Sequence, residues 1–176
     1  MLKDYIKEFA KYQQLGSHTL AQLSDGSLNF VPAAQANSIA MIVRHLHGNL
    51  ISRFTGILTE DGEKDWRDRA AEFAEVTYTR AEVEAYWTAA WAKLEMAVTE
   101  LSEDDLSKSV TIKGKAMTAD AAICRALAHV AYHVGQIVLL GRMAKADDWL
   151  NDRESADSAH KTRRWLNEPP TALQLQ

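Results

Sequence analysis

The residues best suited to chemistry in this chain are histidines. His129 and His133 stand four apart in His129-Val130-Ala131-Tyr132-His133. On a helix that spacing is about one turn, so both rings project from one face. Two such rings can reach one metal ion, as zinc-binding helices do. No glutamate lies between them, which excludes the zinc-protease motif. Taken alone, the pair also admits a plainer reading: two partly buried imidazoles, each with its own hydrogen bond.

A second histidine pair lies in Arg44-His45-Leu46-His47-Gly48-Asn49. Two positions on a helix differ by about 200° in angle, so at most one of these rings can join a common site. His47 lies nearer the apolar stripe of Ile42, Val43, Leu46 and Leu50. His45 lies on the flank with Met41, Gly48 and Ser52, where small residues would leave room for a ligand. His129 is also a flank residue of its own helix. Angle alone leaves the choice between His45 and His47 open. Asn49, Tyr132 and Gln136 could back the imidazoles with hydrogen bonds or simply pack.

Other candidates carry less. Cys124 is about 140° from His129 around the helix, so it is expected as a small core residue outside the site. His18 and His160 stand alone. Trp87 and Trp91, four apart, are expected in the core. Glu103-Asp104-Asp105 fits a solvated helix start. The chain has no glycine-rich phosphate loop, nucleophile elbow or nucleotide fingerprint.

Amphipathic helices must position the histidines. Leu2, Tyr5, Ile6, Phe9, Tyr12, Leu20 and Leu23 predict a first helix over about 2–23, with Gly16 weakening its middle. Asn37 or Ser38 can cap a second over about 38–58. Residues 59–63 break it, and residues 64–78 read as an ordered loop pinned by Trp66 and Phe73. Thr79-Arg80-Ala81-Glu82 is a capping box opening a third helix over 79–101. Val110 to Lys115 predicts a short hairpin or extended loop. Thr118 can cap a fourth helix over 118–143. Residues 144–176 read as mainly irregular tail, with Trp149 and Leu150 docking it and a last short helix near 159–166.

Composition sets outer bounds. The chain has 176 residues, 47 % of them hydrophobic, and fits one globular domain over 1–176. A net charge of −4 argues against nucleic acid. No stretch is read as long and apolar enough for a membrane helix, and the N-terminus does not resemble a signal peptide. A single cysteine excludes an internal disulfide and suits the cytoplasm. Four long helices with almost no strand signal predict an all-α fold, a four-helix bundle.

Several segments resemble the DinB/YfiT-like family of metal-binding bundles. Asn37-Ser38-Ile39-Ala40 with Ile42-Val43-Arg44-His45-Leu46 is similar to its second helix. His129-Val130-Ala131-Tyr132-His133-Val134-Gly135-Gln136-Ile137 is similar to its fourth. The resemblance covers about residues 1–143. The loop with Asp65-Trp66-Arg67-Asp68-Arg69 resembles an uncharacterised branch. The resemblance implies a four-helix bundle in up-down-down-up order, often a homodimer, with a divalent metal held by His45, His129 and His133. It thereby favours His45 over His47.

Three neutral imidazoles leave a coordination position open, as in catalytic zinc sites. Zinc or nickel suits them best, and manganese or iron is compatible. The family resemblance implies a metal-dependent enzyme that activates a thiol or water. Transfer of a low-molecular-weight thiol onto a small-molecule electrophile is the first expectation. The alternatives are a metal-dependent hydrolase and a non-enzymatic bundle that binds a small molecule or serves a stress response.

Overall fold

The structure is a computed structural model that describes residues 1–145 and Trp149. Most of the expected irregular tail, with Leu150, His160 and the short helix near 159–166, lies outside the described residues.

The fold is all-α with one small hairpin. Four long helices carry it: α1 (Leu2–Ala21), α3 (Ile39–Phe54), α5 (Arg80–Thr99) and α6 (Ala119–Lys145). Between them lie two single-turn helices, α2 (Asp25–Leu28) and α4 (Arg69–Glu72), and a 3-10 turn over Glu103–Ser107. The start signals in the sequence are used. The Ser38 hydroxyl accepts from the Met41 amide at 3.2 Å, Thr79 and Glu82 form the reciprocal capping box, and the Thr118 hydroxyl accepts from the Ala121 amide at 3.1 Å. Each satisfies backbone donors that a helix start leaves free. Ser102 and Asp105 form a second capping box, which places the acidic run at a solvated 3-10 start.

Helix α3 packs between α5 and α6, and α1 packs against α6 and α5. The contacts run end to end. The Leu2 amide donates to Glu103 beyond the end of α5, and the Tyr5 hydroxyl donates to Asp120 at the start of α6 at 2.9 Å. Further along, Trp87 of α5 lies on Gly16 of α1, where a Cβ would come within 2.3 Å of the indole. Gly16 therefore allows the close approach of two helices. Trp87 and Trp91 are core residues, 6 % and 2 % exposed.

Helix α3 ends at Phe54, four residues short of the expected bound, because the chain turns through Gly56 at φ +57°. Strands β1 (Ser109–Ile112) and β2 (Lys115–Thr118) pair antiparallel across a two-residue turn. Lys113 and Gly114 both have positive φ, as a primed hairpin turn requires. Asp61 pins this hairpin to the 55–68 loop by accepting from the Lys113 amide at 2.8 Å and the Gly114 amide at 2.7 Å.

Three expectations are corrected. Trp66 is 60 % exposed and anchors nothing; Phe73 is the aromatic that holds the loop. Cys124 is exposed, because its angle on α6 carries it to the face away from the core. Helix α6 is long and apolar enough to cross a membrane by length and composition alone. Of its apolar residues, Ile123, Val130, Val134 and Ile137 are fully buried in the core.

Candidate metal centre

The site forms where the flank of α3 faces the flank of α6. His45 is buried at 3 % exposure and His133 at 9 %, while His129 is partly buried. His129 Nε2 lies 3.2 Å from His45 Nε2 and 3.2 Å from His133 Nε2. A tetrahedral ion with metal–nitrogen bonds of 2.0–2.1 Å sets its ligand nitrogens about 3.3 Å apart. Both pairs through His129 therefore already stand at ligand spacing, and the ligand atoms of all three rings lie within 4.8 Å of one another.

The outer nitrogens of two rings are fixed by acceptors. His45 Nδ1–H donates to Glu72 Oε2 at 2.8 Å. A carboxylate can only accept, so Nδ1 carries a proton and Nε2 is the nitrogen left to offer a lone pair to a metal. His133 Nδ1–H donates to Gln136 Oε1 at 2.8 Å, and Gln136 Nε2 donates in turn to the Tyr132 hydroxyl at 3.1 Å. Two Nε2 lone pairs thus point at His129 Nε2. A single N–H there could serve only one of them. A cation serves all three, so the donor set fits a divalent metal. His129 Nδ1 is buried without a hydrogen-bond partner among the described residues.

Burial keeps His129 and His133 neutral. Burial pushes His129 down to about 3, helped by the neighbouring His133 and His45. Burial and His45 bring His133 to about 4 despite the Gln136 bond. Neutral imidazoles are the form that ligates metal.

His47 does not join. Its Nδ1 lies 3.3 Å from the Arg44 guanidinium and its ring packs 5.0 Å from Tyr86. The 200° separation read from the sequence puts it on the α5 side.

A match to a protein-family model over residues 1–152 decides the affiliation. The chain belongs to DUF1572, a family described as protein of unknown function. A second model, for the C-terminal domain of mitochondrial helicase Irc3, matches residues 131–176. No curated protein sequence matches. Three solved structures share the fold. A conserved protein from Enterococcus faecalis is 19 % identical, with a TM-score of 0.63 over 82 % of this chain and 96 % of its own. A DinB-like protein from Bacillus cereus is 18 % identical, with a TM-score of 0.61 over 81 % and 91 %. A DinB-like protein from Bacillus subtilis is 16 % identical, with a TM-score of 0.57 over 84 % and 96 %. The fold of this DUF1572 member is DinB-like.

Within that fold, the 55–78 loop supplies what the sequence reading missed. Glu72 is 1 % exposed and bound by Arg67 through two bonds of 2.8 and 2.9 Å. Burial alone would raise its carboxyl, but hydrogen bonds from His45 and Arg67 and the guanidinium charge bring it down to about 2. Phe73 covers His45, with ring centroids 4.8 Å apart. The space expected beside Gly48 and Ser52 is already filled. A Cβ on Gly48 would meet Glu72 Oε1 at 1.9 Å, and the Ser52 hydroxyl donates to the Gly62 carbonyl at 2.7 Å. Gly48 is small for a carboxylate of the protein itself. Open space lies on the other side of His45 and His129, in a cavity of about 200 Å³ that Asn49 also lines.

Of the three backing candidates, Gln136 touches a histidine directly. Tyr132 is 63 % exposed and backs Gln136. Asn49 is buried on the cavity wall, with no hydrogen bond to the histidines among the described residues.

Proposed function

We propose that this protein is a metal-dependent enzyme whose divalent ion is held by His45, His129 and His133. One observation carries the reading: the Nε2 atoms of His45 and His133 each lie 3.2 Å from His129 Nε2, and both of those rings are aimed by acceptors on Nδ1. Such backing is the usual support of metal-bound histidine. With three protein ligands, the ion keeps a position for a thiol or water and lowers its pKa enough to supply a nucleophile near neutral pH. Zinc or nickel is favoured, and iron or manganese is tolerated by imidazole.

The reaction we favour is transfer of a low-molecular-weight thiol to a small electrophile. The thiol proton passes to solvent, sulfur forms a bond to carbon, and the leaving group departs with its bonding pair. Glu72 is tied to Arg67 and His45 and held ionised, so it orients His45 and does not shuttle protons. A thiol needs no such shuttle once deprotonated, which favours it over water as the nucleophile.

The wider reading is a single-domain cytoplasmic homodimer with a small-molecule substrate and no nucleic acid or membrane partner. The Leu2–Glu103, Tyr5–Asp120 and Trp87–Gly16 contacts set α1 antiparallel to α5 and parallel to α6, as the up-down-down-up order we propose requires.

Elemental analysis of the purified protein tests the centre. We expect near-stoichiometric divalent metal in the wild type and its loss in His129→Ala/His133→Ala. A wild type that takes up no zinc, nickel or manganese would leave a small-molecule-binding bundle as the better reading.

A further inference from the structure

The cavity beside the histidines is lined by an unusual density of cations for a chain of net charge −4. Arg53, Arg67, Arg69, Lys113 and Arg125 all border it, together with His45 and His129. They come from four separate places: α3, the loop through α4, the hairpin turn and α6. Arg53 and Arg67 are engaged. Arg53 binds Glu63 at 2.9 Å and the Gly62 carbonyl, and Arg67 is neutralised by Glu72. Arg69, Lys113 and Arg125 form no salt bridge among the described residues, and Lys113 lies within electrostatic reach of Glu63. The apolar part of the lining is made by Ile112, Ala122 and Ala126.

Like charges gathered in one concave site repel one another and concentrate counter-ions there. The space amounts to roughly half a dozen waters at about 30 Å³ each. That is too large for a monatomic anion and suits one polyatomic oxyanion with a short carbon chain. Guanidinium groups match carboxylate and phosphate geometry through paired N–H donors.

We propose that this cavity holds the anionic end of the substrate, a carboxylate or phosphate carried on a short chain. Arg69, Arg125 and Lys113 grip the oxyanion, the Ile112–Ala122–Ala126 wall takes the carbon chain, and the reacting atom lies toward His45 and His129. The substrate class is therefore an acidic small molecule. This assignment rests on the histidine cluster being the reaction centre, but the grip itself does not require the metal.

The test uses the full chain, with and without zinc, titrated with inorganic phosphate and with succinate by calorimetry. The variants are Arg125→Glu and Arg69→Glu, both at exposed positions; Lys93→Glu, remote from the cavity, is the control. Wild-type protein is expected to bind at least one anion in both metal states, and the tighter one identifies the oxyanion. Each cavity variant should weaken binding about tenfold or more, with unchanged circular dichroism and metal content, while Lys93→Glu binds like the wild type. Binding that requires zinc and ignores Arg125→Glu and Arg69→Glu would overturn the grip while sparing the metal reading. Binding that survives in zinc-free protein and is lost in the cavity variants upholds the grip even if the metal reading fails.

Discussion

At the residue scale, the centre depends on one carboxylate as much as on its histidines. Glu72 orients His45, neutralises Arg67 and occupies the notch at Gly48. Glu72→Gln keeps the shape and removes the charge, leaving the buried Arg67 guanidinium with only Glu63 at 3.9 Å as its counter-ion. We expect metal affinity to fall on the order of 10–100-fold and stability to drop by about 3–5 kcal/mol, read by chelator competition and urea denaturation. Gly48→Ala should act through the same group by displacing the carboxylate. In an Glu72→Ala background, Gly48→Ala should then cost little more, and a fully additive double mutant would show that Gly48 acts otherwise. The sequence made the histidine pair legible, because four residues on a helix is a fixed angle. It could not rank His45 against His47 by angle, and only a family resemblance favoured the one that faces α6. Glu72 was illegible: its pairing spans 27 residues through an irregular loop, where no periodicity fixes which side chain turns inward.

At the element scale, caps and stripes were readable to within a few residues, since each rests on neighbours in sequence. The failures fall where tertiary packing decides. Trp66 looked like the loop's anchor on hydrophobicity, yet Phe73, Glu72 and Asp61 hold it. Asp61 ties the loop to the hairpin turn, and bonds from the Gly114, Glu63 and Lys113 amides lower its carboxyl to about 2. A depressed acid stabilises the folded state above its ordinary value near 3.8 and loses that contribution as pH falls through about 2. The amide resonances of Lys113 and Gly114 should therefore titrate together with a midpoint near that lower value. Asp61→Ala should abolish the titration and speed exchange at both amides, while the helical amides of α3 and α6 keep their protection. Faster exchange across α6 as well would mean the hairpin and helix open as one unit.

At the scale of the whole molecule, two consequences follow from where α6 sits. Its outer face presents Tyr132, Leu139 and Met143, at 63 %, 59 % and 52 % exposure, along one side. The proposed homodimer would cover them, so Leu139→Lys should convert a dimer to monomer by light scattering without altering helix content. Its inner face carries His129 and His133 against His45 of α3, so an ion held there staples the two helices. Only the folded chain brings the three rings together, because the unfolded chain separates His45 from His129 by 84 residues. A metal bound at the proposed site would then stabilise the fold by mass action, by about 2.7 kcal/mol at a hundredfold excess over Kd. For a domain of this size that raises Tm by roughly 5–10 °C. The rise should appear in the wild type and in His47→Ala, vanish in His129→Ala/His133→Ala, and shrink in Glu72→Gln in step with its weaker affinity. An equal rise in the double-histidine variant would place the metal elsewhere on the chain.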